Sequence, residues 1–167
     1  MQIRPEQPND VAAVHAVNSA AFETRAEADL VNALRAQADP FISLVAVAAG
    51  SIVGHICLSP VTLADHAAAA IMGLAPMAVL PAAQRRGIGA ALVRAGLAHG
   101  KQRGCDAVVV LGHPEYYPRF GFVPASRFGL RSDYDVPDEV FMVCELEAGN
   151  LRGRSGVIHY HAAFANV

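Results

Sequence analysis

The sequence predicts a mixed α/β fold of the α+β kind, and three observations support that prediction. Two apolar, β-branched runs, residues 41–48 and 52–58, are separated only by Ala49-Gly50-Ser51, which is typical of a β-hairpin. A further apolar run, residues 71–80, leads into a glycine-containing turn that opens a helix. After the helix, the short continuous apolar run 106–111 indicates a buried parallel strand. We therefore expect a central, mostly antiparallel twisted sheet flanked by helices.

The N-terminal segment predicts a short strand and two helices. Residues 2–4 form the strand, which Pro5 limits. Asn9 or Asp10 can cap the first helix, whose apolar residues recur at helical spacing. Those residues are Val11, Val14, Val17 and Ala21. Thr24 and Glu27 have the spacing of a capping box and predict the start of the second helix.

Residues 63–69 form a turn in this prediction, so residues 70–80 extend the hairpin as a third antiparallel strand. Pro76 lies inside that strand, and proline cannot donate to a ladder, so it is found at edges or bulges. A bulge at Pro76 would separate the strand from its neighbour and leave amides free for a ligand. A regular strand through Pro76 would contradict this hypothesis.

The C-terminal third predicts one short helix and two strands. Residues 113–120 should form the helix, with Pro114 in its first turn. Alternating apolar residues within 139–147 indicate a strand, and residues 157–161 can form a last one.

Length and composition set the class of protein. The 167 residues fit a single domain over 1–167, and 53% apolar with 17% charged residues is typical of a globular chain. A formal charge of -2 disfavours a general nucleic-acid binder. The first residues lack the apolar core of a signal peptide, and no apolar run is long enough to span a bilayer. Three distant cysteines are expected to be buried thiols, so we expect a cytoplasmic protein without membrane partners.

The basic, glycine-punctuated turn between the third strand and its helix is Gln84-Arg85-Arg86-Gly87-Ile88-Gly89. The first amides of a helix have no internal partner and carry the positive end of its dipole, which suits a phosphate. Gly87 and Gly89 leave no side chain in the way, and Arg85 and Arg86 add charged donors. Two glycines and two arginines alone would more often be an ordinary turn.

Two other phosphate-binding motifs do not fit this turn. A dinucleotide fingerprint needs a third glycine, where this chain has Leu92. A P-loop needs Gly-Lys-Ser/Thr, which the turn lacks.

The turn resembles the Gln/Arg-x-x-Gly-x-Gly/Ala motif of the GNAT family of acyl-CoA-dependent N-acetyltransferases. A second motif, Tyr117-Pro-Arg-Phe-Gly121-Phe122, resembles the Tyr-x-x-x-Gly-Phe element of the same domains. A helix and a strand separate the two motifs, and together they are more specific than either alone. Residues 74–79, 114–122 and 156–160 also resemble the YhbS-like subgroup of predicted acetyltransferases.

This resemblance implies a GNAT fold whose sheet is splayed at the strand before the motif, with acetyl-CoA as cosubstrate and no metal. The residues that would hold the coenzyme pyrophosphate are Gln84, Arg85, Arg86, Gly87, Ile88, Gly89 and Ala90. In the family, an amine attacks the thioester directly, and backbone donors of the splayed strand stabilise the tetrahedral oxyanion. These donors map to Met77, Ala78 and Val79. Tyr117 would protonate the coenzyme thiolate as general acid.

The sequence does not identify which residue is the general base or which amine is the acceptor. Many family members place a glutamate on the motif strand, but residues 73–79 contain no carboxylate. By the position that the family fold gives them, Glu23, His113 and Glu115 are candidates for the base or for substrate contact, and a water chain is the alternative. The acceptor would be a primary amine of a small molecule or of a protein.

Other functions are also compatible with the sequence. The missing glutamate suggests an acyl-CoA sensor with little or no catalysis, and the apolar composition suggests a longer acyl donor. The apolar tail 157–167 could pack on its own sheet or on a second copy, which leaves a homodimer open.

Overall fold

The computed structural model describes residues 1–167 and has a mixed α/β fold with a mostly antiparallel sheet. Its strands are β1 (Gln2–Pro5), β2 (Ile42–Ala48), β3 (Ser51–Leu63), β4 (Ile71–Val79), β5 (Ala107–Leu111), β6 (Val123–Pro124), β7 (Leu130–Ser132), β8 (Phe141–Glu145) and β9 (Gly156–His159). Its α-helices are α1 (Val11–Ala21), α2 (Ala26–Gln37) and α3 (Ile88–Gln102). Hydrogen bonds join the strands in the order β1-β2-β3-β4-β5-β8-β6, while β9 pairs with β3 and β7. The predicted fold class is confirmed.

The chain forms two compact units. The first comprises Met1–Ser59, Ala75–Gly96 and Ala162–Val167, and the second comprises Pro60–Leu74 and Leu97–His161. Three elements, β3, β4 and α3, run from one unit into the other. The single domain over residues 1–167 stays a prediction.

The first unit contains the predicted hairpin and both N-terminal helices. Strand β2 pairs antiparallel with β1 and with β3. The hairpin turn uses Ala49 and Gly50 at φ 50° and 78°, the left-handed conformations that a tight two-residue turn requires. Side chains of both helices pack on the sheet, and the buried members of this core are Val14, Leu30, Val31, Leu34, Val45 and Cys57. The hairpin and the helices agree with their apolar spacing.

Asp10 holds the N-cap position of α1, as predicted, whereas the capping box predicted for the second helix is wrong. The Asp10 carboxylate makes no bond to α1; it accepts from the Arg4 guanidinium at 2.6 and 3.1 Å and from the Gln7 amide at 2.7 Å, the latter as part of a capping box on the 3-10 turn Pro8–Asp10. Helix α2 begins at Ala26, so Thr24 lies before the cap position and accepts only from the Ala26 amide, at 3.2 Å. With the helix starting late, Glu27 cannot complete a capping box.

The second unit contains the predicted parallel strand. Residues Ile71, Met72 and Gly73 of β4 pair parallel with β5, and β8 pairs antiparallel with β5 and β6. Strand β9 pairs with the end of β3 and with β7. The buried core of this unit is Val61, Leu63, Ile71, Ala107, Val109, Ala125, Leu130, Phe141, Val143, Leu151 and Ile158.

The helix predicted over residues 113–120 is wrong. Only Tyr117–Phe120 are helical, as a single 3-10 turn that Gly121 ends at φ 96°. The physical reason is Pro118, which has no amide to donate and whose ring would clash with the carbonyl four residues earlier in an α-helix. The segment before it is a turn, in which the Tyr116 and Tyr117 amides donate to the His113 carbonyl at 3.1 and 3.3 Å.

Strand β4 runs unbroken through Pro76. Its register with β5 ends at the Gly73–Val109 pair, although β5 continues to Leu111. The pairing with β5 thus ends three residues before the proline, which is the separation from a neighbouring strand that the sequence predicts, while the bulge at Pro76 itself stays a prediction.

Candidate functional site

The glycine turn of the first unit lies between β4 and α3. Residues 84–87 are exposed, whereas Ile88 at the start of α3 is buried. Arg85 and Gly87 adopt left-handed conformations, at φ 64° and 81°. The first helical hydrogen bond of α3 is the 3.0 Å bond that the Ala91 amide donates to the Gly87 carbonyl. The amides of residues 88–90 precede this bond and have no partner inside the helix, so they can bind an anion.

Two hydrogen bonds hold the end of β4, one to β3 and one to the glycine turn. The Leu80 amide donates to the Val53 carbonyl on β3 at 2.8 Å, and Gln84 Nε2 donates to the Val79 carbonyl at 3.1 Å. Backbone donors alternate between the two edges of a strand. The amide of Ala78 therefore points to the same side as that of Leu80, toward β3. The amides of Met77 and Val79 point to the other edge.

Two glycines allow α3 to pack closely on β3. A Cβ atom at Gly54 would lie 3.1 Å from Ile88 Cγ2 and 3.1 Å from Leu92 Cδ1. One at Gly96 would lie 3.1 Å from Leu58 Cδ1. The helix start that carries the free amides is thus held in place by direct contact with the sheet. The sequence does not predict this role of Gly54, because nothing near it in the chain indicates which helix will cover it.

Tyr117 of the second unit lies in an aromatic cluster. Its side chain is buried, with 8% exposed, and packs edge-on against the rings of Tyr116 and Phe122 at centroid distances of 5.1 and 5.5 Å. Burial raises the pKa of Tyr117 to about 12. The phenol therefore keeps its proton at neutral pH and can act as a proton donor.

His113 and Glu115 are exposed and line a surface cavity of about 520 Å³ with three neighbours of the same segment. Two of those neighbours contact each other: the Arg119 guanidinium lies 4.6 Å from the centre of the Tyr116 ring, and its Nε donates to the Tyr116 carbonyl at 2.8 Å. Glu23, also exposed, lies between α1 and α2 in the first unit. The structure brings together two of the three predicted base candidates.

Glu27 has the spacing of a capping-box residue, which predicts a cap and not a functional site. Its Oε2 is shielded from solvent and has no hydrogen-bond partner. The basic side chains on and beside the two helices contact other carboxylates: Arg25 and His15 contact Asp29, and Arg35 contacts Glu6. A shielded carboxylate oxygen without a donor is unfavourable, which makes Glu27 a candidate for contact with a cationic or hydrogen-bonding ligand.

No group of three or more His, Cys, Asp or Glu side chains could hold a metal ion. His159 instead contacts Asp133, with Nδ1 to Oδ2 at 3.0 Å. All three cysteines are buried free thiols, as predicted, and burial raises the pKa of the Cys57 thiol. No helix has the length and apolar character needed to cross a bilayer.

The sequence model of the acetyltransferase (GNAT) family matches residues 11–122. The chain is 36% identical over 167 residues to the uncharacterized N-acetyltransferase YhbS of Escherichia coli strain K12, covering 98% of both proteins. It is 40% identical over 135 residues to the uncharacterized N-acetyltransferase YjhQ of the same strain, which covers 78% of this chain and 75% of YjhQ.

Two solved structures extend this similarity to the fold. Escherichia coli YhbS, solved in complex with CoA, matches with a TM-score of 0.91 and 35% identity, over 98% of this chain and 91% of that one. A GNAT family acetyltransferase from Brucella melitensis, solved in complex with acetyl-CoA, matches with a TM-score of 0.80 and 37% identity, over 98% and 97%. The resemblance to YhbS drawn from the sequence is confirmed. The chain therefore belongs to the acetyltransferase (GNAT) family.

Proposed function

We propose that this protein transfers the acetyl group of acetyl-CoA to a primary amine by direct attack in a ternary complex. The observation that carries the proposal is the start of α3, where unpaired amides follow an exposed Arg85-Arg86 pair. The relatives solved with CoA and with acetyl-CoA support the same donor. We assign residues 1–167 to one catalytic domain that acts in the cytoplasm.

The pyrophosphate of the coenzyme binds the amides of Ile88, Gly89 and Ala90 in this proposal. Left-handed backbone at Arg85 and Gly87 gives the turn its shape, and Gln84 ties it to β4. The side chains of Arg85 and Arg86 are exposed and add charge-assisted hydrogen bonds to the phosphates.

The acetyl carbonyl accepts hydrogen bonds from the β4 edge that faces away from β3. Met77 and Val79 provide the amides on that edge, while Ala78 is buried and contributes packing. When the amine attacks, the same donors stabilise the oxyanion of the tetrahedral intermediate, and one such donor is worth roughly 10²- to 10³-fold in rate.

Tyr117 donates its proton to the departing thiolate. A pKa of about 12 keeps the phenol protonated until that step. The raised value also makes it a weaker acid, but desolvation beside the same aromatic cluster would raise the pKa of the coenzyme thiol as well. The direction of proton transfer therefore depends on the difference between the pKa of the phenol and the pKa of the coenzyme thiol, and not on the phenol alone.

The amine must be neutral when it attacks, so a base has to accept its proton. Glu23, His113 and Glu115 are exposed and in contact with solvent, so each can act directly or through water. Glu27 joins this set because its Oε2 lacks a partner. The acceptor belongs to the class of small-molecule or protein amines, and the protein acts alone or as a homodimer.

One observation favours a second function. Residues 73–79 contain no carboxylate, which is compatible with an acyl-CoA sensor that turns over slowly or not at all. Thiol release from acetyl-CoA, measured against a panel of primary amines with mass detection of the acetylated product, separates the two. Amine-dependent thiol release that Tyr117→Phe reduces, with coenzyme binding retained, supports the enzyme. Tight coenzyme binding without product from any amine supports the sensor.

A further inference from the structure

Gly112 follows β5 directly and lies five residues before Tyr117. A Cβ atom placed on Gly112 would lie 2.3 Å from Tyr117 Cε2 and 2.7 Å from Cδ2, with Cζ at 3.3 Å. Non-bonded carbon atoms approach to about 3.5 Å at best. The Tyr117 ring therefore occupies the space that any side chain at position 112 would need.

Neither partner of this contact can move away easily. The Gly112 amide donates to the Val140 carbonyl at 2.9 Å, which continues the ladder between β5 and β8. The Tyr117 amide is held by the His113 carbonyl, and the ring by the edges of Tyr116 and Phe122. The glycine backbone thus forms one wall of the ring's socket, and the aromatic cluster forms another.

The reason for glycine here is space alone. The φ angle of Gly112 lies outside the left-handed region that Gly121 and Gly129 adopt, so its backbone conformation would accept other residues. This distinguishes Gly112 from the turn glycines, whose conformation requires them.

We propose that Gly112 is a positioning residue that fixes the Tyr117 ring and thereby the direction of its hydroxyl. The catalytic part rests on the proposed function, in which that hydroxyl protonates the coenzyme thiolate. Proton transfer needs hydrogen-bond distance, and a misplacement of about 1 Å can reduce a rate by about 100-fold. A methyl group at position 112 displaces the ring by a distance of this order.

The kinetic test compares Gly112→Ala, Tyr117→Phe and the double variant with Gly100→Ala. At Gly100, in α3, a Cβ atom would lie 3.4 Å from Leu146 Cδ1 and 4.0 Å from Cys105 Cβ and Val108 Cγ2, which are ordinary contacts. We expect Gly112→Ala to lower kcat by roughly 10- to 100-fold with little change in KM for acetyl-CoA. Added to Tyr117→Phe, it should lower kcat no further, because the hydroxyl it positions is already gone. An equal factor in both backgrounds would overturn the proposal.

A second readout does not depend on activity. In spectra of protein labelled with carbon-13 at the tyrosine ε positions, the resonance lost in Tyr117→Phe identifies Tyr117. We expect Gly112→Ala to shift that resonance and Gly100→Ala to leave it in place. An unshifted resonance overturns the proposal while leaving the proposed enzyme intact. If the resonance shifts but the protein acetylates no amine, the proposed enzymatic function is rejected, while the packing of the Tyr117 ring on Gly112 is supported.

If Gly112→Ala prevents folding, a second substitution that removes the clashing ring tests the cause. If the clash with the ring is the cause, the added change Tyr117→Leu should restore the thermal unfolding midpoint. A double variant as unfolded as Gly112→Ala would show that the ring is not what requires glycine.

Discussion

The Leu80 amide donates a 2.8 Å hydrogen bond to the Val53 carbonyl and so fastens the end of β4 to β3 before the chain enters the glycine turn. Because donors alternate along a strand, this bond sets the edge to which Met77 and Val79 direct their amides. Gln84 closes the turn on the same strand end. The proposed oxyanion donors and the proposed pyrophosphate loop are therefore built on one anchored segment.

Adding a methyl group at Gly54 should displace the start of α3, which follows the anchored end of β4 and the glycine turn. A Cβ atom there would press on Ile88 and Leu92, both at 3.1 Å, so the start of α3 must shift by a few tenths of an ångström. We expect Gly54→Ala to lower the free energy of unfolding by about 1 kcal/mol and to weaken acetyl-CoA binding. Thermal unfolding and calorimetric titration measure the two effects. Unchanged affinity would show that the position of the helix start does not matter, and Gly100→Ala is the matched control.

The two arginines of the turn should contribute to coenzyme affinity through charge. We expect Arg85→Ala and Arg86→Ala each to weaken acetyl-CoA binding by roughly tenfold, the size of one charge-assisted hydrogen bond. The loss should shrink at high salt, because exposed charges are screened. Arg127→Ala, an exposed arginine of the second unit, should bind like the wild type. Equal losses in all three variants would indicate only a general charge effect.

Removing the Tyr117 hydroxyl should separate binding from turnover. Tyr117→Phe keeps the ring that fills the aromatic cluster, so we expect unchanged acetyl-CoA affinity and a kcat lower by about 10²-fold or more. Initial rates and calorimetry on the same preparation test this. A variant with full kcat would remove Tyr117 from the mechanism.

The same phenol predicts a pH effect on stability. Burial raises its pKa from 10.0 to about 12 in the folded state, so the folded state holds this proton more tightly than the unfolded state. The resulting stability is complete below pH 10 and is lost as the pH rises through about 12. We expect denaturant titrations to show that the wild type loses roughly 2 to 3 kcal/mol more than Tyr117→Phe over this window. Parallel losses would contradict the burial of the hydroxyl.

A buried histidine predicts the opposite behaviour in acid. Desolvation lowers the pKa of His55 from 6.5 to about 4. The Asn18 amide nitrogen lies 3.1 Å from its Nδ1, which must accept, so Nε2 carries the proton and donates to Ser43 Oγ at 2.8 Å. The neutral ring is thus the one that fits this site.

Because that pKa is depressed on folding, its contribution to stability is present above pH 6.5 and is lost as the pH falls through about 4. We expect His55→Gln to flatten the acid branch of the stability curve by about 3 kcal/mol relative to the wild type. His66→Gln, in the turn before β4, should leave that branch unchanged. If His55→Gln is as acid-sensitive as the wild type, another group controls acid unfolding.

The sequence predicts the elements whose signal is local. Two β-branched runs around Ala49-Gly50 determine the hairpin, and helical spacing after Gly87 determines α3. The helix predicted over 113–120 fails because Pro118, inside the segment, cannot donate an α-helical hydrogen bond. Strands β6 and β7 have two and three residues, too few to show a period of two.

The parts of the candidate site that the sequence does not predict depend on contacts between distant or unmarked residues. Gly54 needs glycine because α3 crosses it, and Gly112 because the Tyr117 ring lies on it. Glu27 has cap spacing, and only its shielded, unpartnered oxygen in the folded chain gives it another meaning. In each case the requirement comes from packing, which hydrophobic periodicity does not record.

Calorimetric titration of acetyl-CoA and of free CoA into the wild type and into Gly89→Leu tests the central claim most directly. The proposed function predicts saturable one-to-one binding of both ligands by the wild type. It also predicts loss of that binding in Gly89→Leu, where a side chain enters the space assigned to the pyrophosphate, while Gly100→Ala binds normally. Absence of wild-type binding at about millimolar coenzyme, or equal binding by Gly89→Leu, would contradict the assigned donor site and the mechanism built on it.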